Sequence, residues 1–226
     1  MTILYRLLSV LIGYAFGNLT FGYYIGKHLN VDIRKQGSGN IGTTNTLRIL
    51  GLKAGIWTLI LDCLKAILAA LMAWLIFSHV DSVADDFLPV IRLYAAFGAV
   101  LGHDFPALLK FKGGKGIATS FGFLIVVAPK MLIFAIPLFV ILVAIYRYIS
   151  LGSIMGAISV IIMAWIFAPI GWLNLPESYA YEGAIILTIV GCLATYLHRA
   201  NIDRLLHHKE NKFTFHPNTS KENKNG

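Results

Sequence analysis

The sequence predicts an all-α integral membrane protein: a bundle of seven transmembrane helices, amino terminus outside and carboxyl terminus cytoplasmic. Three observations carry this. Of 226 residues, 57% are hydrophobic and 13% charged, against about 45–50% and 25% in soluble domains; so few charges could not cover a soluble surface. The apolar residues come in long runs, unlike the ~10-residue alternating segments of a membrane β-barrel. That leaves helices, which satisfy their own backbone hydrogen bonds in lipid. Third, the cations fall in alternate loops. Soluble, fibrous and disordered classes are excluded.

A hydrocarbon core of ~30 Å needs about 20 helical residues. The first span is Ile3 to Ile25, read as a retained helix because it lacks a small-residue cleavage site. The second is Ala54 to Phe77, and the third runs from Leu88 to about Gly102. Ile117 to Tyr146 is apolar but broken by Pro129, Lys130 and Pro137. Pro129-Lys130 suits a turn, since proline lacks a donor and disfavours helix at the residue before it. Ile149 to Ile170 and Gly183 to Leu197 complete the set.

Lys27, Arg34, Lys35, Arg48 and Lys53 follow the first span, and Lys110, Lys112 and Lys115 the third. Arg147 stands alone, and Arg199, Arg204, Lys209, Lys212, Lys221 and Lys224 follow the last span. The loops around Asp81–Asp86 and Asn174–Glu182 carry acids and no cation. The positive-inside rule makes the cationic group cytoplasmic. An even number of spans must then separate Lys115 from the tail, so Ile117–Tyr146 holds two. Five helices, with one later stretch not crossing, is the alternative. Residues 1–210 form a single membrane-embedded domain and 211–226 a polar cytoplasmic tail.

Three polar segments share the cytoplasmic side. In Gly37-Ser38-Gly39-Asn40-Ile41-Gly42-Thr43-Thr44-Asn45-Thr46-Leu47-Arg48, glycines let backbone amides turn toward a ligand. Ser, Asn and Thr add neutral donors, and Arg48 supplies a planar cation suited to phosphate. With no acid in twelve residues, an anion site outweighs a solvated Gly/Asn loop. The second segment is Gly102-His103-Asp104-Phe105-Pro106, then Phe111-Lys112-Gly113-Gly114-Lys115-Gly116-Ile117-Ala118-Thr119. Its glycines and lysines precede a helix, where an anion is favoured. It is not a Walker A loop, because Leu109 and Gly116 replace required residues. A positive-inside flank without chemistry stays open here.

The third segment is His198-Arg199-Ala200-Asn201-Ile202-Asp203-Arg204-Leu205-Leu206, ending in Glu210. If helix continues past the membrane, His198, Asn201 and Leu205 share a face. A basic juxtamembrane helix attracted to anionic lipid accounts for Arg199 and Arg204, though less easily for His198 and Asn201. Within the second span, Asp62 and Lys65 lie one turn apart. Ionised groups in a span are costly and usually paired, so a helix-locking pair and a substrate role carry equal weight. Arg6 and Arg92 lie near outer ends and can snorkel.

Cys63 and Cys192 both sit in apolar runs, so neither a disulfide framework nor a cysteine metal site is expected. There is no Gly-x-Ser-x-Gly elbow, no His-Glu-x-x-His and no carboxylate cluster for a divalent metal. The residues therefore point to a phosphate-containing substrate processed at the membrane surface without metal or cofactor. A transporter would place its binding groups near mid-membrane, on broken helices or repeats; donors clustered at one surface favour an enzyme.

Gly37-Ser38-Gly39-Asn40-x-Gly42-x-Thr44-Asn45-x-x-Arg48, Gly102-His103 with Lys112-Gly113-Gly114-Lys115-Gly116 and Ala118-Thr119, and His198-Arg199-x-Asn201-Ile202-x-Arg204-Leu205 resemble the three motifs of the bacterial acyl-phosphate:glycerol-3-phosphate acyltransferase family, PlsY. Asp62-x-x-Lys65 resembles that family's Asp-x-x-Lys. The resemblance spans all but the tail after about Glu210. Thr43 departs from the family's frequent smaller residue, and His208 stands where a glycine is expected, two residues before Glu210. His198-x4-Asp203 also fits another acyltransferase superfamily, a coincidence because Asp203 falls on a variable position of this motif.

The resemblance implies transfer of a fatty acyl group from acyl phosphate to the 1-hydroxyl of glycerol 3-phosphate. Lysophosphatidate and inorganic phosphate result, the first step of phospholipid synthesis, with neither acyl-CoA nor acyl carrier protein as direct donor. It implies Ser38, Arg48 and Lys115 holding glycerol 3-phosphate, with Gly37, Gly39, Asn40, Thr44, Asn45, His103, Lys112, Thr119 and Arg204 among the substrate- or phosphate-binding residues. Gly113, Gly114 and Gly116 would frame a phosphate site. His198 and Asn201 would orient the hydroxyl or polarise the acyl carbonyl, with His198 or a substrate phosphate oxygen as the base. Asp62, Lys65 and Glu210 would support them. The expected partners are the two substrates, the lipid bilayer and the soluble enzyme that supplies acyl phosphate, with no nucleic acid. The expected place is the bacterial inner membrane, multi-pass, with the active site on the cytoplasmic face.

Overall fold

The computed structural model describes residues 2–213 and is all α-helical, with short 3-10 turns between helices. The helices are α1 (Thr2–Gly17), α2 (Phe21–His28), α3 (Thr43–Leu50), α4 (Leu52–Phe77), α5 (Leu88–Asp104), α6 (Ile117–Val127), α7 (Leu132–Tyr146), α8 (Ile149–Phe167), α9 (Ala180–Leu197) and α10 (Arg199–Leu206). Among the described residues, five helical stretches are long and apolar enough to cross a membrane: Thr2–His28, Leu52–Phe77, Pro129–Tyr146, Ile149–Phe167 and Glu177–Leu197. α5, with 17 residues, and α6, with 11, are shorter. The tail from residue 214 onward lies outside the described residues.

The first span is not one helix. It breaks at Asn18–Thr20, between α1 and α2, which exposes the Gly17 and Leu19 carbonyls inside the bundle. Backbone oxygens there need a protein donor, and Lys65 Nζ of α4 supplies one, at 3.1 and 2.9 Å. The expected turn at Pro129-Lys130 is present as a 3-10 turn, Pro129–Met131.

α1 and α5 run parallel and nearly in backbone contact, with Val10 against Gly98, Gly13 against Ala95 and Ala99, and Gly17 against Gly102. A Cβ on Gly13 would stand 1.8 Å from the Ala95 carbonyl oxygen. Small residues four apart on each helix permit this approach. α4 runs antiparallel to α5, with Ala73 and Phe77 packed near Phe87, Val90 and Ile91 at one end and Lys65 beside His103 toward the other. α6 lays Gly122 on Cys63 and Ala66 of α4, and its far end accepts Asn174 N–H at the Val127 carbonyl, 2.7 Å. α7 has no buried residue and packs Phe139 and Val143 on Gly152 of α8.

The bundle thus has two chemically distinct ends. At one, Arg6 grips Glu182 through two bonds of 2.6 and 2.7 Å beneath the rings of Phe87, Tyr94 and Tyr179. Tyr5 bonds Ser82 there, and Lys130 sits over Trp172. Arg6, read as a snorkelling side chain, is instead a tie between α1 and α9. The other end gathers all three polar segments.

Candidate active site

The site stands on a buried pedestal. Asp62 and Lys65, one turn apart on α4, are 0% and 1% exposed. Lys65 Nζ lies 2.9 Å from Asp62 Oδ1 and 2.8 Å from His103 Nδ1, besides the two carbonyls of the α1–α2 break. With four acceptors around one ammonium and no solvent access, Lys65 locks α4 to α5 and to the break. Of the two readings left open from sequence, the geometry is that of the helix lock. His103 is equally buried, so it too lies beneath the surface rather than on it.

The Gly113–Gly116 segment rests on this pedestal. Gly114 N–H donates to the His103 carbonyl at 3.0 Å. A Cβ on Gly114 would fall 2.1 Å from His103 Nε2, and one on Gly113 would fall 2.1 Å from the His103 carbonyl oxygen. Gly116 adopts φ +67° directly over the Asp104 carboxylate. Close packing on the end of α5 is therefore sufficient reason for these glycines. The chain is laid flat, so that Lys115 projects away from the pedestal. Thr119, in the first turns of α6, is fully buried.

The Gly37–Arg48 loop is held from within by Asn45. Its Oδ1 accepts Ser38 N–H at 2.9 Å, and its Nδ2 donates to the Ile33 and Gln36 carbonyls, both at 3.1 Å. Gly37 turns at φ +61° above it, where a Cβ would meet Asn45 Oδ1 at 2.3 Å. Asn40 Oδ1 accepts Gly42 N–H at 2.8 Å, setting the start of α3. Asn45 is thus a brace, while Ser38 is exposed and Thr44 and Arg48 are partly exposed. Arg48 has no ion pair among the described residues. Ile33 and Ile41 pack on Leu109, joining this loop to the one after α5. Between the two loops lies a recess of about 350 Å³ lined by Asp32, Arg34, Lys35, Gly39, Ile41, Lys112 and Gly113.

On the other side of the glycine segment, α9 stops at Leu197 and α10 begins at Arg199, with His198 the break between them. The helix therefore does not run on unbroken. Lys115 Nζ donates to Asn201 Oδ1 in a short contact. Asn201 Nδ2 donates to Glu210 Oε1 at 3.1 Å, and Arg204 Nε to Glu210 Oε2 at 2.7 Å. His208, in place of the expected glycine, adopts φ +56°. Its N–H bonds the Leu205 carbonyl and Lys209 N–H bonds that of Arg204, the Schellman pattern that usually recruits glycine. Glu210 is delivered to Asn201 and Arg204 despite the departure. Asp203 is 72% exposed and faces His207, so the His-x4-Asp match has no structural counterpart.

His198 is 5% exposed, and its Nδ1 lies 2.7 Å from the Ala194 carbonyl. An Nδ1–H donor there leaves the Nε2 lone pair as the ring's open position. Burial brings its pKa down to about 4, with Lys115 acting in the same direction, so the ring is neutral near pH 7. Burial and the neighbouring Arg204 guanidinium bring Lys115 down to about 8. The cluster thus offers one neutral imidazole and a cation that titrates just above neutrality.

An apolar cleft of about 570 Å³ opens between α4, α6, α7, α8 and α9. Its lining includes Ile117 and Ala118, which follow the glycine segment, and Ala194, one turn before His198. Sequence reasoning missed this cleft, although Gly156 and Gly191 on its walls were visible as small residues in apolar helices. It also left Asp104, 3% exposed, without a part. Its position beside His103 in an otherwise apolar helix was the available signal.

The family model described as glycerol-3-phosphate acyltransferase matches residues 7–208. A glycerol-3-phosphate acyltransferase from Streptococcus pyogenes serotype M5 is 38% identical over 219 residues, covering 96% of this chain and 97% of its own. One from Trichlorobacter lovleyi is 37% identical over 200 residues, covering 88% and 93%. The crystal structure of PlsY (YgiH), an integral membrane glycerol 3-phosphate acyltransferase, in its glycerol 3-phosphate form matches with a TM-score of 0.76 at 34% identity, covering 92% and 96%. Its lysophosphatidic acid form matches at 0.74, covering 93% and 96%.

Proposed function

The chain belongs to the glycerol-3-phosphate acyltransferase family, and from that premise we propose how its residues divide the work. The enzyme moves a fatty acyl group from acyl phosphate to the 1-hydroxyl of glycerol 3-phosphate, giving lysophosphatidate and inorganic phosphate. The hydroxyl oxygen attacks the acyl carbonyl, the anhydride C–O bond breaks, and the phosphate departs with the electron pair. The proton finishes on the released phosphate.

Arg48, Ser38 and Lys115 hold glycerol 3-phosphate, with Gly37, Gly39, Asn40 and Thr44 shaping the loop around it. Lys112 and the Gly113–Gly116 segment face the second phosphate. His198 accepts the hydroxyl hydrogen at Nε2 and fixes the direction of attack; a ring held neutral so far below pH 7 orients the nucleophile rather than storing its proton. Asn201, joined to both Lys115 and Glu210, sets the ammonium in place, and Arg204 anchors Glu210. Asn45, Asp62, Lys65, His103 and Thr119 form the scaffold. The acyl chain lies in the apolar cleft, whose wall includes Ala194, one turn from His198. A metal or cofactor has no part in these steps.

The observation that carries this reading is the junction of Lys115 with Asn201, one turn from His198, close in the chain to Ile117 and Ala194 of the cleft wall. Seven crossings with the amino terminus outside agree with α1 and α5 running parallel from the acidic end to the cationic one. The active site then faces the cytoplasm of a bacterial cell, across its inner membrane. There a soluble enzyme making acyl phosphate can pass on its labile product. Residues 1–210 act as one domain.

Purified protein given labelled glycerol 3-phosphate and EDTA forms lysophosphatidate from palmitoyl phosphate and none from palmitoyl-CoA. Product from palmitoyl-CoA alone would overturn the donor assignment. Arg48→Ala raises the KM for glycerol 3-phosphate about tenfold or more, as loss of a charged hydrogen bond implies, while His198→Ala mainly lowers kcat. Unchanged kinetics in both would defeat the residue roles.

A further inference from the structure

The wall of the apolar cleft on α8 contains two glycines with different surroundings. At Gly152 the place of a Cβ is already bounded by Phe139 at 2.8 Å and Val143 at 3.0 Å, so its smallness serves helix packing. At Gly156 nothing lies within 4 Å of that place, and the residue lines the cleft. Glycine inside a helix costs about 0.5–1 kcal/mol relative to alanine. Close packing, the usual compensation, is missing here.

The depth of Gly156 follows from α9. Gly191 packs on Ala157 and Ile161 of α8, so Gly156 stands close to its level. From Gly191 to His198 the axial distance is about 10 Å at ~1.5 Å per residue. An extended alkyl chain advances ~1.25 Å per carbon, given C–C bonds near 1.5 Å and tetrahedral angles. A chain with its carbonyl at His198 therefore passes Gly156 about eight carbons in. Beyond that level the cleft continues toward Leu187 and Phe123, both fully buried.

We propose that Gly156 determines acyl-chain specificity: the side chain it lacks is the space through which chains longer than about eight carbons reach the inner part of the cleft. This rests on the reading that the cleft holds the acyl group. A leucine there would fill the passage without touching the phosphate-binding loops, and an alanine would narrow it.

The test assays Gly156→Ala and Gly156→Leu with acyl phosphates of about eight to eighteen carbons. Gly156→Leu should retain turnover of the shortest donors within about twofold and lose about tenfold or more on palmitoyl phosphate, since a pocket discriminates one methylene by 10-fold or more. Gly156→Ala, which favours the helix, should fall between, with the KM for glycerol 3-phosphate unchanged in both. An unaltered length profile in both variants, or an equal loss at every length, overturns the assignment. Cys63 lines the same cleft. In a Cys192→Ser background, its modification by methyl methanethiosulfonate should slow when palmitoyl phosphate is present. Protection with an unaltered length profile overturns the role of Gly156 alone. Absence of protection overturns the acyl-cleft reading and this inference with it.

Discussion

Lys115 and His198 belong to one cluster yet are charged in different ranges, and this sets the pH response. Lys115, lowered to about 8, is a cation below that pH and loses phosphate affinity as pH rises through it. His198, lowered to about 4, is neutral across the same interval. The profile of kcat/KM for glycerol 3-phosphate should therefore fall above about pH 8 and show no histidine inflection near 6.5. Lys115→Arg, which does not titrate there, should remove the alkaline limb. His208 illustrates a second residue-scale effect. Its left-handed backbone, φ +56°, costs about 1 kcal/mol that glycine avoids. His208→Gly should stabilise the protein by about that amount in thermal unfolding and leave turnover unchanged, because Glu210 keeps its place. From sequence, the motif residues were legible as a set. Which of them turn inward was not. Asn45 and Arg48 read alike as polar residues of one loop, and only the curl of residues 36–45 makes one a brace and the other a partly exposed cation.

Among the elements, the α1–α2 break and Lys65 act as one unit. Removing the ammonium leaves Asp62 as a buried charge and two carbonyls without their donor. Lys65→Met should cost about 3–5 kcal/mol, and Asp62→Asn with Lys65→Met should recover part of that, as measured by thermal unfolding in detergent. An equal loss in the double variant would mean that the carbonyls, not the carboxylate, carry the cost. The helices themselves were legible because most apolar runs end at a charge, a glycine or a proline. The break at Asn18–Thr20 was not, since Gly17-Asn18-Leu19-Thr20 is apolar enough to continue a span. The packing role of each glycine was not legible for a related reason. Gly152 and Gly156 share their spacing with Gly13 and Gly17 and with Gly98 and Gly102, but spacing does not say what stands opposite. The latter two pairs meet each other, whereas Gly156 faces space.

For the molecule as a whole, the separation of acids and cations is a claim about sidedness. In a cysteine-free background, Asp85→Cys should react with a membrane-impermeant maleimide on intact cells, while Lys110→Cys and Arg147→Cys should react only after lysis. Labelling of all three from outside would overturn the seven-crossing arrangement. The gathering of the cationic segments at one end was legible because charge along the chain records it directly. The apolar cleft was not, because its walls come from five helices whose neighbours only the fold determines. The tie between Arg6 and Glu182 has a further consequence for how the protein is made. These partners are 176 residues apart, so the ribosome delivers the guanidinium to the bilayer long before its carboxylate exists. Until then the rings of Phe87 and Tyr94 are the partners at hand. A chain whose synthesis stops before Glu182 keeps Arg6 without its carboxylate, so this tie closes only when the last span is made.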